Sequence, residues 1–494
     1  MTDHSHFPDP TYRDTVLAPL FDGVKTHYAG PMDAINQAHL VMLCETGILT
    51  AKDAGSIARA LADITAETDI ETLAYTGAVE DYFFHIEAAL LARLGDLGGA
   101  LHTARSRNDM DHTMFRMALL DRSAALMQTA QTLARALLAK AEAEAETLIV
   151  AYTHGQPAQP STFGHYLAGV IETLLRDCAR LEEATALVDA CPMGAAAITT
   201  SGFPIDRARM ADLLGFRAPL LNSYGCIAGV DYITGLYSAL KLVCLHLGRV
   251  IQDMAFWSAF EVGQLHVPDS LVQISSIMPQ KRNPVPIEHM RHLASVASGQ
   301  CDMVINTMHN TPFTDMNDSE GAVQQAGYGA FETADRMLRL LAAFLPVCQI
   351  NPAAVARNGD AACVTITELA DSLVRADGLS FRQAHHIAAA TARAVIAAEK
   401  PLDQGFGPFQ DAYRAATTTA PAMTEPEFQR IVSPRNFVAL RDRPGGPAPG
   451  ALATAFATYR TEIARLDAAG RARQTRRQDA DTARNAAFNA LKRI

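Results

Sequence analysis

Residues 109–150 read DMDHTMFRMALLDRSAALMQTAQTLARALLAKAEAEAETLIV. Apolar residues recur at helical spacing through this stretch, and neither Pro nor Gly interrupts it. Its Ala, Leu, Met, Arg and Glu favour helix. At 1.5 Å per residue, a helix of about 40 residues is about 60 Å long. A monomeric globule rarely needs such a rod. Similar periodicity recurs over residues 161–189, 227–267, 286–310 and 319–347. Several rods together predict a bundle, continued across subunits. A plain coiled-coil scaffold is the simpler alternative. The polar, Gly- and Pro-containing segments between the rods argue against it.

Outward from the rods the pattern shortens. Residues 1–108 read as short helices, for example over 31–46, 50–66 and 81–94. From Asn351 the helices are again short, with breakers clustered at 405–408, 433–436 and 443–450. Residues 471–494 alternate charges with Ala and read as a solvated terminal helix or frayed tail. The expectation is an all-α chain of three parts, 1–108, 109–350 and 351–494. Val/Ile/Thr-rich strand runs are hard to find.

The composition excludes several function classes. The chain has 494 residues, 49% of them hydrophobic and 19% charged, which rules out wholesale disorder. No stretch of about 18 apolar residues lacks a charge, so no membrane span is expected. The opening MTDHSHFPDP lacks the basic-then-apolar order of a signal peptide. With 53 acids against 42 bases, the net charge is −11. That argues against nucleic acid or an anionic membrane as partner, and leaves room for a small anionic substrate. None of the eight cysteines forms CxxC or a zinc-like spacing. Reduced, mostly buried thiols in a cytoplasmic protein are expected.

Three stretches carry chemistry. Residues 275–284, SSIMPQKRNP, hold two hydroxyls, two amides and two cations, and two prolines keep them out of regular helix. A helix follows near Pro286. Such a loop can close over an anion with backbone N–H groups and Lys281 as donors, or it can be an ordinary capped loop. Residues 152–160, YTHGQPAQP, form a second Pro-broken polar segment between helices. A lone His such as His154 is more often structural than catalytic. Residues 103–109, TARSRND, precede the first rod. They read either as a solvated basic turn with Asp109 as helix cap, or as carboxylate donors Ser106, Arg107 and Asn108.

Together these stretches resemble the aspartase/fumarase superfamily, and most closely its argininosuccinate lyase branch. SSIMPQKRNP matches the signature GSSxMPxKxNP. ARSRND matches TxRSRND, and YTHGQPAQPSTFGHYL resembles HTHLQxAQPxTFGHYL. The run Phe437-Val438-Ala439-Leu440-Arg441 to Gly446 resembles the branch's C-terminal domain. The resemblance covers nearly the whole chain. It implies an all-α fold of three domains and a homotetramer with a 20-helix core. Each active site is then assembled from three subunits, with no metal and no cofactor. The implied reaction is a reversible β-elimination releasing fumarate. By motif position Ser275 is the base, and Lys281 with helix-start N–H groups stabilises charge. His154, paired with Glu288, protonates the leaving amine. Ser106, Arg107, Asn108, Thr153, Met278 and Asn283 form the succinyl pocket.

The amine half departs from argininosuccinate lyase. The branch's N-terminal YDxRL is not found. Its EDxHxxxE is Glu80-Asp81-Tyr82-Phe83-Phe84-His85-Ile86-Glu87 here, with Phe83 at the His position. The first His of HTHLQ is Tyr152. Its YNKDLQEDKEG is replaced by residues 312–321, PFTDMNDSEG, without the Tyr or the Lys. EDYFFHIE and KRNPVPIEH more resemble ethylenediamine disuccinate (EDDS) lyase and its relatives. That implies an aminopolycarboxylate-type N-substituted aspartate as substrate, with argininosuccinate as the alternative. His85, Tyr152 and residues 315–319 are the expected outer wall for the amine. The branch also includes lens crystallins recruited as structural protein. Ser275, His154, Lys281 and Glu288 are all present, which favours an enzyme.

Overall fold

The computed structural model describes residues 7–494. The opening segment read above for a leader lies partly outside them. The N-terminal helices include α1 (Ala29–Glu45), α2 (Ala51–Glu67) and α3 (Tyr82–Leu94). Thr50 caps α2 and Asp81 caps α3, each side chain accepting a backbone N–H three residues on.

The rods are present. They are α4 (Arg107–Ala143), α5 (Phe163–Val188), α6 (Asp231–Ser258), α7 (Val285–Thr307) and α8 (Gly321–Phe344). They close a ring: α4 packs on α5, α5 on α6, α6 on α7, α7 on α8, and α8 back on α4. Met110, Met114, Phe115, Leu119, Leu133 and Leu137 are among the α4 side chains buried in that ring. Burying each such side chain is worth roughly 1.5–3 kcal/mol.

The first rod stops earlier than its periodicity predicts. Leu148–Thr153 forms strand β1, paired antiparallel with β2 (Gln156–Thr162). Ile149 and Val150 are β-branched, buried and better suited to the ribbon than to a helix end. Two further ribbons pair β3 (Leu265–His266) with β6 (Gln349–Ile350), and β4 (Gln273–Ile274) with β5 (Arg282–Asn283).

A second core lies within residues 363–432, built around Phe409 and Phe428. The chain then returns to the first core. Residues 471–494 are no frayed tail. The other reading, a terminal helix, is the one found: residues 471–492 belong to the 44-residue helix α9 (Pro449–Lys492), which packs on α1, α2, α4 and α5. Charge pins it there: the buried Asp189 carboxylate receives both Arg473 and Arg476. All eight cysteines are free, and seven are buried. No helix among the described residues is long and apolar enough to cross a membrane.

Two contacts fix the ends of the α4 rod. Ser106, rather than Asp109, is the N-cap, and Asp109 completes the capping box from N3. The fully buried Asp109 carboxylate accepts Ser106 N on one oxygen, and Gly194 N and Ala196 N on the other, all at 2.9 Å. Burial pushes this carboxyl up to about 6, against the pull of three N–H donors and Arg105. Asp109→Ala would leave three backbone donors without their acceptor. It is expected to cost about 3 kcal/mol, read by thermal or urea unfolding. Asp109→Asn, which keeps one acceptor oxygen, should lose less. At the other end, a Cβ on Gly164 would meet the Ala141 carbonyl oxygen at 2.4 Å and Ala145 Cα at 2.7 Å. Gly164→Ala is expected to destabilise by about 1–3 kcal/mol in the same measurement, because backbone cannot yield like a side chain.

Candidate active site

The three chemical stretches do not meet within one chain. Ser106, Arg107 and Asn108 lie at the start of α4. The hairpin carrying Thr153 and His154 follows its end. At 1.5 Å per residue, the 37-residue helix holds these about 55 Å apart.

At the α4 start, Arg107 Nη1 donates to Glu80 Oε1 at 2.9 Å and Asp81 Oδ2 at 2.8 Å, and its guanidinium lies over the Phe84 ring. Asn108 Nδ2 donates to the Ala197 carbonyl at 3.0 Å. Through Asn108 and Asp109, the turn at 106–109 and the loop at 194–200 hold each other. Ala196 and Thr200 in that loop have positive φ. The 312–321 segment joins this end: Tyr224 stacks on Phe313, and Asp315 Oδ1 is 4.0 Å from His112 Nε2. A small cavity beside Arg107 is lined by Glu80, Asp81, Asp111, Glu320, Asn317 and Gln325, among others. Burial raises the carboxyls of Asp111, Asp315 and Glu320, and neighbouring acids raise Asp111 and Glu320 further.

At the other end, His154 and Gly155 both take positive φ between the paired Thr153 and Gln156. This two-residue reversal matches a type I′ hairpin turn and leaves Thr153 and His154 exposed. The expected break in helix is therefore a ribbon. Tyr152 packs edge-on to Phe256 near the α6 end, and its hydroxyl accepts from Asn358. His154 and Tyr152 line a cleft of about 890 Å³ with Tyr166, Trp257, Phe437 and Arg441.

The Ser275 loop sits at this same end. It caps the β4–β5 ribbon, and α7 leaves it to run back along α6, where Arg291 donates to Gln252. Ser275 Oγ accepts Met278 N at 3.1 Å and Ile277 N at 3.5 Å. Met278 and Lys281 are exposed, and Asn283 lies in β5. Glu288 is in the first turn of α7, where the helix dipole favours an acid. Ile274 and Ile277 are more than 80% exposed, unusual for such side chains.

The expected amine wall is likewise divided. Residues 315–319 lie at the α4 start. His85 stacks on Tyr82 on the N-terminal helices, and Tyr152 belongs to the opposite end. Sequence reading missed Asp111, Glu320 and the 194–200 loop. The Ser-x-x-Asp spacing of Ser106 and Asp109 was the available signal for the cap.

Comparison with known proteins places this geometry in a family. Residues 31–299 match the lyase family model, and residues 363–439 match an argininosuccinate lyase C-terminal model. The chain is 58% identical to argininosuccinate lyase 2 of Agrobacterium fabrum over 94% of this chain and 93% of that protein. It is 34% identical to argininosuccinate lyase 1 of Mesorhizobium japonicum, over 87% and 90%. In structure it is similar to an EDDS lyase in complex with formate: TM-score 0.85, 26% identity, 98% and 96% covered. A class II fumarase from Schistosoma mansoni shares the fold at TM-score 0.65 and 16% identity, over 85% and 91%. The chain has the all-α aspartase/fumarase fold. It belongs to the lyase family, in its argininosuccinate lyase branch, and is a carbon–nitrogen lyase.

Proposed function

We propose that the enzyme catalyses reversible β-elimination of fumarate from an N-substituted L-aspartate, with argininosuccinate as the substrate. The observation that carries the chemistry is the pair of backbone N–H groups directed at Ser275 Oγ. A serine alkoxide is untenable in bulk water. Oriented N–H dipoles and the nearby Lys281 cation would stabilise it, and each such donor is typically worth about 3 kcal/mol. Ser275 then removes a proton from the carbon next to a carboxylate. The resulting aci-carboxylate collapses as the C–N bond breaks, and His154, with Glu288 as charge partner, returns a proton to the amine. Ser106, Arg107, Asn108, Thr153, Met278 and Asn283 bind the succinyl part. The Ser275 loop closes on binding and excludes water.

Because the rod keeps the two half-sites apart, a working site requires different copies of the chain. A homotetramer is the reading. Leu187, Leu245, Val296 and Met303, exposed on the bundle helices, supply apolar surface for it. Ser275→Ala is expected to lower turnover at least about a thousandfold while light scattering still reports about four chains. Full activity in a stable monomer would contradict the composite site.

The amine reading shifts from the sequence expectation. EDDS would bring a second succinyl group, with two more carboxylates, toward a cavity already lined by acids. The 58% identity to a protein named argininosuccinate lyase points the same way. The EDDS reading keeps two supports: the missing Tyr and Lys in residues 312–321, and the overall likeness to EDDS lyase. Fumarate release from both substrates decides it. A kcat/KM higher for argininosuccinate is expected, and the opposite order restores the aminopolycarboxylate.

A further inference from the structure

Helix α1 grips the turn that leads into the proposed succinyl subsite. Residues 103–105 precede Ser106, the N-cap of α4. Ala104, in the middle of that turn, has a φ of 63°. This is the left-handed region, which a residue with a Cβ seldom enters and keeps only where its surroundings hold it. Two side chains on one face of α1, Asn36 and His39, supply the hold. His39 Nε2 lies 2.8 Å from the Thr103 carbonyl oxygen, just before the strained residue. Asn36 Oδ1 accepts Arg105 Nη1 at 2.7 Å, just after it. Asn36, His39 and Arg105 are all buried.

The roles of the atoms follow from their chemistry. A carbonyl oxygen can only accept, so His39 Nε2 carries the proton and donates it. Burial holds the pKa of His39 down to about 3, so the ring is neutral. Its Nδ1 is then a bare acceptor, and it has no hydrogen-bond partner among the described residues. An aliphatic side chain would fill this place without that cost. What the imidazole adds is the bond to Thr103. The Arg105 guanidinium lies over the Phe83 ring and is directed by its bond to Asn36, while its Nε has no partner among the described residues.

We propose that Asn36 and His39 are positioning residues for substrate binding. From α1 they keep the 103–105 turn in its left-handed form, and through it they set how Ser106, Arg107 and Asn108 meet the succinyl carboxylates. This rests on the reading that those three residues bind the succinyl part, and it adds what holds them in place. The capping box at Ser106 and Asp109 fixes where α4 begins. The grip of α1 fixes the path by which the chain arrives there. Recognition of a carboxylate by Arg and Asn donors is directional, so a small shift of that path weakens it.

The test reads KM and kcat from fumarate release, with argininosuccinate or EDDS, whichever the enzyme turns over. Asn108→Ala checks the subsite itself and should raise KM at least about tenfold. An unchanged KM there overturns the succinyl reading, and the positioning role with it. His39→Leu and Asn36→Leu should each raise KM at least about tenfold and leave kcat within about threefold, because the succinyl contacts are made in ground and transition states alike. Asn36→Asp, which keeps an acceptor for Arg105, should hold KM within about twofold of the original. Adding Ala104→Gly to His39→Leu should recover part of the loss, since glycine takes positive φ without steric cost. A contact that served stability alone would lower the melting temperature and the amount of active enzyme without moving KM. If Asn36→Leu does not fold, because Arg105 loses its acceptor, His39→Leu still decides. An unchanged KM in His39→Leu, with circular dichroism showing it folded, overturns the positioning role and leaves the fumarate-releasing reading intact. So does a raised KM that Ala104→Gly leaves where it was.

Discussion

A continuous helix of 37 residues cannot bring its ends together. The capping box at Ser106 and Asp109 fixes where α4 begins. The close approach of Gly164 to Ala141 and Ala145 fixes how the chain turns out of the hairpin into α5. Between these points the rod is rigid because four other helices wrap its apolar face. Half-sites at opposite ends of such a bundle are therefore geometrically independent within a chain. Each end can be shaped without disturbing the other, and in the proposed composite site assembly would bring complementary ends into one place.

The two ends differ in charge. The α4 start gathers Glu80, Asp81, Asp111, Asp315 and Glu320 around Arg107, at the cost of raising several of those carboxyls. The opposite end carries Lys281 and Arg282 on an exposed loop, with Ser275 beneath backbone N–H groups. An end rich in acids suits a cationic amine. Donors at the opposite end, together with Ser106, Arg107 and Asn108 at the α4 start, suit the carboxylates of a succinyl group and the charge that develops on it.

Much of this was legible in residue order. The rods followed from periodicity, and Thr50 and Asp81 marked helix starts by chemistry alone. The SSIMPQKRNP, ARSRND and YTHGQPAQP stretches stand out by their chemistry, and they fall at the two ends of the bundle where the half-sites are proposed. What sequence concealed was mostly tertiary. Residues 471–494 look solvated because their charges alternate, yet Asp189 supplies the buried partner for Arg473 and Arg476. The β1–β2 hairpin was hidden behind the helical periodicity that runs into it. Asp111 looks like any helix acid until the fold sets it beside Glu320 and Asp81, which are distant in sequence.

Global and local likeness carry different information here. An identity of 58% over nearly the whole chain speaks for the family and its shared scaffold. Family membership speaks for the type of reaction, a fumarate-releasing carbon–nitrogen lyase. Under the proposed reaction, the choice of amine rests on a handful of side chains, with residues 80–85, 107–112 and 312–321 as the candidates. Exchanging buried hydrogen-bonding groups there changes specificity by orders of magnitude, while scarcely altering overall identity.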